Sequence, residues 1–475
     1  MLVASIFLYI ALTLAIGFWA SKRVKTTSDF TLAGKSLPMA LVGVTIFATW
    51  FGPELIMGVP GRFVEQGVMG IITDQFGSLL CLILVGFFFA RQLYRMNIVT
   101  LGDFFKIRFG KSIELITSLI YVYTYFLWIA AQFVALAYLF HSLIGISIQN
   151  GIFLGAFIVV IYTYVGGMWA VTFTDLLQSV FIVIGLLIVL INILDQTGGI
   201  VPILNNRPEN FYQFFPDRGL YNWTDYIAMW MAFGLGAIPA QEIYQRVFSA
   251  KSAKGGQNGV FLSALLIFVV GALPLVIGLG AARLHPELMG DDHGQNLIPG
   301  LVAQYNSLPV QMLFFGALIS AILSTSSGAM LSPATIIGEN LLKPYIPNMT
   351  DKRLLLLTRI SVIVIALISC VFAMSDTNIH GLVVSSAVLI MVCLLAPLTL
   401  GLYWKKSSVF GAWMAILLGF TAWFFSDLFD TLVHPTIYGT LASFTGMILG
   451  SIVRPDGTDL RSINLKENDT AQSEA

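Results

Sequence analysis

The sequence is poor in charged residues. Only 11% of its 475 residues are charged, whereas soluble domains carry about 25%. Acidic and basic residues number 25 each, so the chain has no basic excess with which to bind nucleic acid. Together with 57% hydrophobic residues, this composition excludes a soluble domain and indicates an integral membrane protein with the lipid bilayer as partner.

Cysteines and catalytic motifs are also scarce. Cys81, Cys370 and Cys393 lie in separate apolar stretches without pairing or metal-ligand spacing, so we interpret them as buried thiols. The sequence contains no His-Glu-x-x-His or Gly-x-Ser-x-Gly pattern, which argues against an enzyme. The Gly34-Lys35-Ser36 and Gly110-Lys111-Ser112 triplets lack the leading glycine of a P-loop, so we expect no nucleotide partner.

Apolar residues are present instead in long runs. A membrane helix needs about 20 such residues. Thirteen segments approach this length: 2–20, 39–62, 70–90, 113–141, 150–168, 175–195, 223–247, 258–283, 310–338, 355–375, 380–403, 409–426 and 434–453. No basic region precedes the first segment and no clear cleavage site follows it, so we expect a retained membrane helix rather than a removed signal peptide.

The basic residues orient these segments. If the N-terminus lies outside, only Arg62, Arg207, Arg218 and Arg283 fall on the outer side, which leaves 21 of the 25 lysines and arginines inside. Positive charge concentrates in the cytoplasmic connections of membrane proteins. We therefore expect a multi-pass protein of the cell membrane with an outer N-terminus and a cytoplasmic C-terminus.

The second segment combines two features that lipid disfavours. It contains Gly52-Pro53, which interrupts a helix, followed directly by Glu54. A broken helix leaves backbone groups that are tolerated only where protein or a cavity surrounds them. An ionisable residue at that depth is costly and usually functional. The sequence therefore predicts a binding site at this break.

The seventh segment is interrupted in the same way, by Gly234, Gly236 and Pro239. It follows the second segment by five, so the two run in opposite directions through the membrane. Paired broken helices are typical of inverted-repeat transporters, although glycine is also common in ordinary membrane helices. The predicted organisation is a first helix and inner loop (1–38), a five-helix repeat (39–195), an outer loop (196–222), a second five-helix repeat (223–403), two further helices (404–453) and a polar, disordered tail (454–475).

The ninth segment carries hydroxyl groups near its centre, at 324–327. Small residues there favour close helix packing. Their oxygens also suit a hard cation such as sodium. Ser324 and Thr325 would supply hydroxyls and Ala321 a carbonyl, while carbonyls freed at Ala48 and Phe51 would complete the shell. The pattern leaves both interpretations open.

Several stretches together match a known pattern: Ser28 to Leu37, Met57 to Gly61, Gly166 to Gln178, and Ser324-Thr325. The chain resembles the sodium:solute symporter family over nearly its whole length. This resemblance implies an all-α membrane protein of about 13 transmembrane helices with a ten-helix 5+5 inverted-repeat core of the LeuT type. It also implies sodium as the coupling ion. The ligands that it assigns to sodium are Ala48, Phe51, Ala321, Ser324 and Thr325.

The resemblance implies a second sodium site in some family members. The residues that match it are Asp175, Ser324 and Ser327, whereas Gly328 stands where the family pattern has a further serine. Asp175 has another interpretation, because Thr174-Asp175 opens the predicted sixth segment and an aspartate there suits a helix N-cap.

Within the family, the chain is similar to the high-affinity choline transporters, which implies an aromatic cage for a quaternary ammonium. Trp50 and Trp128 match two cage positions, and the third is Ala240. A desolvated cation over an indole gains about 2 kcal/mol. Tryptophans are also common as packing residues in membranes. Glu54 has no acidic counterpart in that pattern. It would either face an amine or have a structural role, in which the Gly-Pro backbone groups or Arg62 satisfy it. The predicted substrate-binding residues are Trp50, Glu54, Trp128, Gln132 and Gln241.

The sequence thus predicts a sodium-coupled symporter that carries a small amine, or a quaternary ammonium such as choline, into the cell by alternating access, with a monomer as functional unit. Three alternatives stay open. In the first alternative, the solute is an amino acid such as proline or another neutral molecule. Protons would couple through Glu54 or Asp175 in the second. The third is a channel or receptor without coupled transport.

Overall fold

The computed structural model describes residues 2–205, 207–290, 294–429 and 431–456, apart from the side chains of 2–7, 10, 14, 162, 165, 166 and 320. Residues 457–475 of the predicted tail lie outside this description. The helices are α1 (Leu2–Ser21), α2 (Thr27–Leu32), α3 (Met39–Trp50), α4 (Val59–Gln66), α5 (Gly77–Leu84), α6 (Ala90–Tyr94), α7 (Leu101–Phe109), α8 (Lys111–Ile144), α9 (Ile148–Thr197), α10 (Ile200–Leu204), α11 (Leu220–Gly234), α12 (Gln241–Phe248), α13 (Ala253–Leu284), α14 (Leu297–Tyr305), α15 (Leu308–Ile336), α16 (Asp351–Ser375), α17 (Ile379–Ile390), α18 (Ala396–Tyr403), α19 (Val409–Leu428) and α20 (Pro435–Val453).

Several of these helices are joined by short turns that are wider (π) or tighter (3₁₀) than an α-helix. The π-helical turns are Glu54–Gly58, Ile72–Phe76, Val85–Phe89, Ile337–Leu342 and Met391–Leu395, and the 3₁₀ turns are Ala33–Lys35, Gly67–Ile71 and Pro286–Met289. Among the described residues, β pairing is limited to an isolated bridge between Leu37 and Ala250. The fold is therefore all-α, as the sequence predicts.

Nine helices in the described part of the chain are long and apolar enough to cross a membrane, and three shorter apolar helices accompany them: Ala11–Ser21, Met39–Trp50 and Ile148–Ile161. Each of the thirteen predicted segments coincides with one helical stretch or with a pair of helices flanking a break. Large hydrophobic side chains remain exposed along these helices, for example Leu265 on α13 and Leu367 on α16. Such apolar exposure suits contact with lipid tails rather than water.

The fifth and sixth predicted segments form two helices that meet directly at a kink within α9, without the predicted linker between them. The direction of α9 changes at Gly167, where the backbone is left-handed (φ 55°, ψ −162°). A Cβ at Gly167 would lie 2.6 Å from Cδ2 of Phe30, so this corner needs glycine for both its conformation and its space. The predicted boundary at 168–175 is therefore wrong, and the corner lies at Gly167.

The core brings the two interrupted helices together. Helix α3 packs against α9, α12, α13 and α15, and α15 packs in turn against α8 and α9. A backbone bridge fixes the chain before α3 to the end of α12, because Leu37 N–H donates to Ser249 O and Lys251 N–H donates to Leu37 O, both at 2.9 Å. Helices α19 and α20 pack mainly on each other, beside the Met391–Leu395 turn. The centre of the fold is thus the place where the breaks meet.

Candidate functional site

The first break follows α3. Phe51 leaves the helical region (φ −85°, ψ 61°), and Gly52 and Pro53 separate α3 from the Glu54–Gly58 turn. Proline has no N–H to continue the α-helical pattern. The carboxylate of Glu54 folds back over Gly52, where a Cβ would lie 2.7 Å from Oε2. Glycine at 52 therefore makes room for a buried carboxylate at the break.

The second break separates α11 from α12, between Leu235 and Ala240. A side chain at position 236 would collide with the carbonyls of Ala232 and Ala387, so this position has room only for glycine. The indole N–H of Trp50, at the end of α3, donates to Oε1 of Glu242 at 3.1 Å, at the start of α12. This hydrogen bond joins the two breaks directly.

A cavity opens between the breaks. Aromatic side chains form much of its wall, together with three carboxylates and two serine hydroxyls. Its polar and aromatic lining consists of Trp50, Glu54, Asp74, Ser78, Tyr125, Trp128, Phe233, Glu242 and Ser386. The rings of Trp128 and Tyr125 lie 5.8 Å apart between centroids and are tilted by 47° to each other. This described lining contains no Lys, Arg or His, so its fixed charges are all negative.

Glu242 is fully engaged by its neighbours. Its Oε1 accepts from Trp50 and its Oε2 accepts from the hydroxyl of Tyr125, whose oxygen in turn accepts from the Glu242 N–H at 3.1 Å. Hydrogen bonds to a carboxylate are strong and directional. Glu242 therefore holds Trp50 and Tyr125 in place around the cavity.

Glu54 is less completely satisfied. Its Oε2 is buried without a hydrogen-bond partner. Gln132 is near enough to interact with the carboxyl group, although neither amide atom of Gln132 reaches hydrogen-bonding geometry with any group. A buried acceptor without a donor is costly. Glu54 is thus the carboxylate of this cavity with an oxygen left for a ligand.

Asp74 lies in a cluster that separates the cavity from a second one. Arg62 Nη1 contacts Oδ2 of Asp74 at 3.0 Å and Nε2 of His380 at 2.7 Å, and His380 Nδ1 lies 3.4 Å from Oδ1 of Asp74. Asp74 lines the central cavity, whereas Arg62 and His380 line a neighbouring cavity. Arg62, which the sequence offered as a partner for Glu54, thus pairs with Asp74 instead.

Two of the predicted sodium ligands, Thr325 and Ala48, meet where α15 packs against α3. The Thr325 hydroxyl on α15 donates to the Ala48 carbonyl on α3 at 3.0 Å, so the two helices meet there. Phe51 follows at the break, and Ser324, Thr325 and Ala321 are buried. The donors are all oxygens, and freed carbonyls at a broken helix commonly bind sodium in transporters. The residues present therefore fit the ion that the resemblance implies.

Asp175 is also buried, beside Ser324. The Ser324 hydroxyl donates to Oδ1 of Asp175, and Oδ2 has no hydrogen-bond partner. The Ser327 hydroxyl is turned to the carbonyl of Ser324 in its own helix, at 2.9 Å. Asp175 lies inside the helical stretch Gly167–Thr197, so its interpretation as an N-cap is wrong. The predicted cap failed because this helix already begins at the Gly167 kink, two turns before Asp175.

The five predicted substrate contacts fall into two groups. Trp50, Glu54 and Trp128 line the cavity, whereas Gln132 and Gln241 are absent from its described lining. The Oε1 atom of Gln241 accepts from the Leu101 N–H at 2.7 Å, at the start of α7, so this side chain connects two helix ends. Gln132 is buried and lies next to Glu54.

Sequence reasoning missed two carboxylates and a tyrosine of the cavity: Asp74, Glu242 and Tyr125. Glu242 lies directly beside the second break, so the argument that selected Glu54 applies to it equally. Asp74 is a carboxylate within the third predicted segment and gave the same signal. Nothing in the local sequence distinguishes Tyr125 from the other tyrosines of α8.

A family model for the sodium:solute symporter family matches residues 30–419 of the chain. The chain belongs to this family. The sodium:solute symporters are transporters rather than enzymes, so the oxygen-lined break and the aromatic cavity lie in a membrane carrier.

Curated family members with similar sequences differ in their solutes. The chain is 27% identical to the high-affinity choline transporter 1 of Caenorhabditis elegans, over 88% of this chain and 76% of the relative. It is also 27% identical to the sodium/glucose cotransporter of Vibrio parahaemolyticus, over 86% and 82%, and 25% identical to the osmoregulated proline transporter of Bacillus subtilis (strain 168), over 98% of both. Similarity at this level supports sodium-coupled symport and leaves the solute undecided.

Solved structures agree in fold. A sodium-coupled sialic acid symporter in a substrate-bound outward-open state superposes with a TM-score of 0.83, at 19% identity over 97% of this chain and 99% of that one. The nucleobase-cation-symport-1 transporter Mhp1 in a closed conformation gives 0.60, at 14% identity over 91% and 96%. At such identities the likeness shows the fold alone, which is that of the inverted-repeat transporters.

Proposed function

We propose that this symporter carries a small organic cation, an amine or a quaternary ammonium such as choline, into the cell together with sodium. The observation that carries this proposal is the central cavity, whose described charged lining is entirely acidic and whose walls are aromatic. A cation in such a space gains attraction from the rings as well as from the carboxylates. The carboxylates of the lining would repel an anionic solute.

The cavity residues divide the task of binding the cation. Trp50 and Trp128 offer aromatic faces, while the free oxygen of Glu54 accepts an N–H from an amine or faces the charge of a quaternary group. Glu242 already has partners for both oxygens, so it acts by holding Trp50 and Tyr125. Gln132, beside Glu54, would complete the polar side of the site.

Sodium would bind beside this cavity, at Ala48, Phe51, Ala321, Ser324 and Thr325. Trp50 lies between Ala48 and Phe51 in the chain, so an ion that fixes this break also fixes the indole at the cavity wall. One sodium ion moving inward through 100 mV releases about 2.3 kcal/mol. An assumed tenfold sodium gradient adds about 1.4 kcal/mol. Together these would drive accumulation of the solute without nucleotide.

The proposed cycle alternates access to the cavity from either side. We place the N-terminus outside and the C-terminus in the cytoplasm, from the distribution of basic residues. In this orientation the cluster of Arg62, Asp74 and His380 is the outer gate. The repeats 39–195 and 223–403 would rock against each other around the breaks, with one monomer as the functional unit.

Uptake into proteoliposomes tests this proposal. Purified protein is reconstituted, and labelled choline, ethanolamine, proline and glucose are offered with an inward sodium gradient, with an inward proton gradient, or with neither. We expect concentrative uptake of choline or ethanolamine with sodium alone. The matched control is protein-free liposomes.

Each other outcome identifies a different alternative. Uptake restricted to proline or glucose would contradict the cationic solute while leaving sodium coupling intact. Proline and glucose are included because two of the similar proteins are named as transporters of these solutes. Uptake that follows the proton gradient and ignores sodium would instead favour Glu54 or Asp175 as a proton carrier. Rapid flux without accumulation would indicate a channel.

A further inference from the structure

Arg246 on α12 is a buried cation that the central cavity does not use. Its side chain is among the largest fully buried ones, with 1% exposure. The Nε donates to the carbonyl of Thr45 at 3.2 Å and Nη1 donates to the carbonyl of Glu242 at 3.1 Å. The remaining nitrogen, Nη2, has no hydrogen-bond partner. A buried guanidinium is costly unless an anion compensates its charge, so a nearby anion is expected.

Gly328 on α15 makes the space for this guanidinium. A Cβ at Gly328 would lie 2.5 Å from Nη2 of Arg246 and 3.8 Å from Oγ1 of Thr49. The residue lies inside a regular helix, so no left-handed conformation requires glycine there. Glycine in a helix interior lowers stability relative to alanine. The fit of the arginine against the helix explains why glycine occupies this position.

Asp175 is the anion on the other side of Ser324. Its Oδ2 is unpartnered, as is Nη2 of Arg246, so the two groups do not touch. They nevertheless face the same stretch of α15, because Asp175 accepts from Ser324 and Nη2 of Arg246 lies against Gly328, four residues further along the same helix. In a low-dielectric interior, attraction between opposite charges acts beyond direct contact. Arg246 therefore compensates part of the charge of Asp175.

The same residues are those that the family resemblance assigns to a second sodium ion, and they do not fit one. Position 328 supplies no oxygen, and the Ser327 hydroxyl is turned to its own helix. A cation beside Asp175 would also face the positive charge of Arg246. We propose that Arg246 takes the place of a second sodium ion at Asp175, so that each transport cycle carries one sodium. This inference rests on the proposed sodium coupling.

Counting bound sodium tests the inference without knowledge of the solute. Full-length protein in lipid nanodiscs is titrated with ²²Na⁺ alone in a scintillation proximity assay, and bound ions are counted per protein. We expect one ion per protein. Two ions per wild-type protein would overturn this inference only. No bound sodium at all would overturn sodium coupling itself, and the inference with it.

Variants then test the role of the arginine. The double variant Arg246→Gln/Gly328→Ser removes the fixed cation and adds an oxygen, so we expect it to bind two sodium ions. Arg246→Lys, which keeps the charge, should still bind one. If the double variant binds one ion, the arginine does not exclude the second and the inference fails. Should the double variant not fold, the count on wild-type protein decides.

The steric part has its own control. Gly328→Ser should lower the thermal unfolding temperature, and it should do so less in an Arg246→Gln background, because the guanidinium is then absent. Gly185→Ser is the matched control, since a Cβ there meets nothing nearer than Cα of Phe314 at 3.7 Å. Equal effects of Gly328→Ser in both backgrounds would contradict the proposed contact.

Discussion

Two glutamates of the central cavity differ in what is left for a ligand. Glu242 is held by Trp50 and Tyr125, whereas Glu54 keeps an unpartnered oxygen. We therefore expect Glu54→Gln to weaken a cationic solute selectively. A hydrogen bond to a charged group contributes about 1.5–3 kcal/mol, so the KM of uptake should rise by about 10- to 150-fold. Sodium affinity should change little.

Glu209→Gln is the matched control for this change, because Glu209 is an exposed loop residue far from the breaks in sequence. It should leave the KM unchanged. An unaltered KM in Glu54→Gln would show that Glu54 has a structural role only. A loss of folded protein in that variant, measured by thermal unfolding, would point to the same conclusion.

At the sodium site, neighbouring hydroxyls on α15 have different partners. Thr325 reaches across to the Ala48 carbonyl, whereas Ser326 donates to the Ile322 carbonyl of its own helix at 2.6 Å. We expect Ser324→Ala/Thr325→Ala to raise the sodium concentration for half-maximal uptake by at least tenfold, because two ligand oxygens are lost. Ser326→Ala is the control and should have little effect. Unchanged sodium dependence in the double variant would refute the assigned ligands.

At the scale of helices, the sequence predicted the elements better than their junctions. Gly52-Pro53 correctly marked the break after α3, because proline and a buried carboxylate leave a local signature. The corner of α9 escaped prediction, since Gly167 is required by contact with Phe30, which lies on another helix. The space at Gly328 depends in the same way on Arg246, which lies on α12. Local pattern predicts a break, whereas a close approach depends on the partner.

One prediction at this scale concerns the cluster that links α4, the Ile72–Phe76 turn and α17. Arg62→Gln removes the cation that holds Asp74 and His380 together. The lost charged contacts contribute about 1.5 kcal/mol or more, so we expect the variant to open the cavity to the outer side more often. The reporter is Ser386→Cys in the cavity, which should then react about tenfold faster with an impermeant thiol reagent added outside.

Arg218→Gln serves as the control for that experiment, because Arg218 is exposed on a loop. The reaction is measured against protein without the introduced cysteine, whose own three cysteines are buried. If Arg62→Gln leaves the reaction rate of the cavity cysteine unchanged, the cluster does not act as a gate.

For the whole molecule, hydropathy and the two breaks were sufficient to predict the fold class, and the family resemblance supplied the symporter core. Only part of the cavity lining could be predicted from the sequence. Trp50, Glu54 and Trp128 were predicted, but the pairing of Arg62 with Asp74 and His380 joins residues up to 318 positions apart. No local pattern carries such a pairing, because it arises only when separate helices pack.

The orientation of the molecule is the prediction that depends on the chain as a whole. An outer N-terminus assigns 21 of the 25 basic residues to the inner side of the membrane and Arg218 to the outer side. We therefore expect Arg218→Cys to react with an impermeant maleimide in intact cells. Lys406→Cys should react only after the cells are permeabilised. Both positions are exposed, and the native cysteines are buried, so the introduced thiol dominates the signal. The reverse pattern would place the N-terminus inside, and the cluster of Arg62, Asp74 and His380 would then face the cytoplasm.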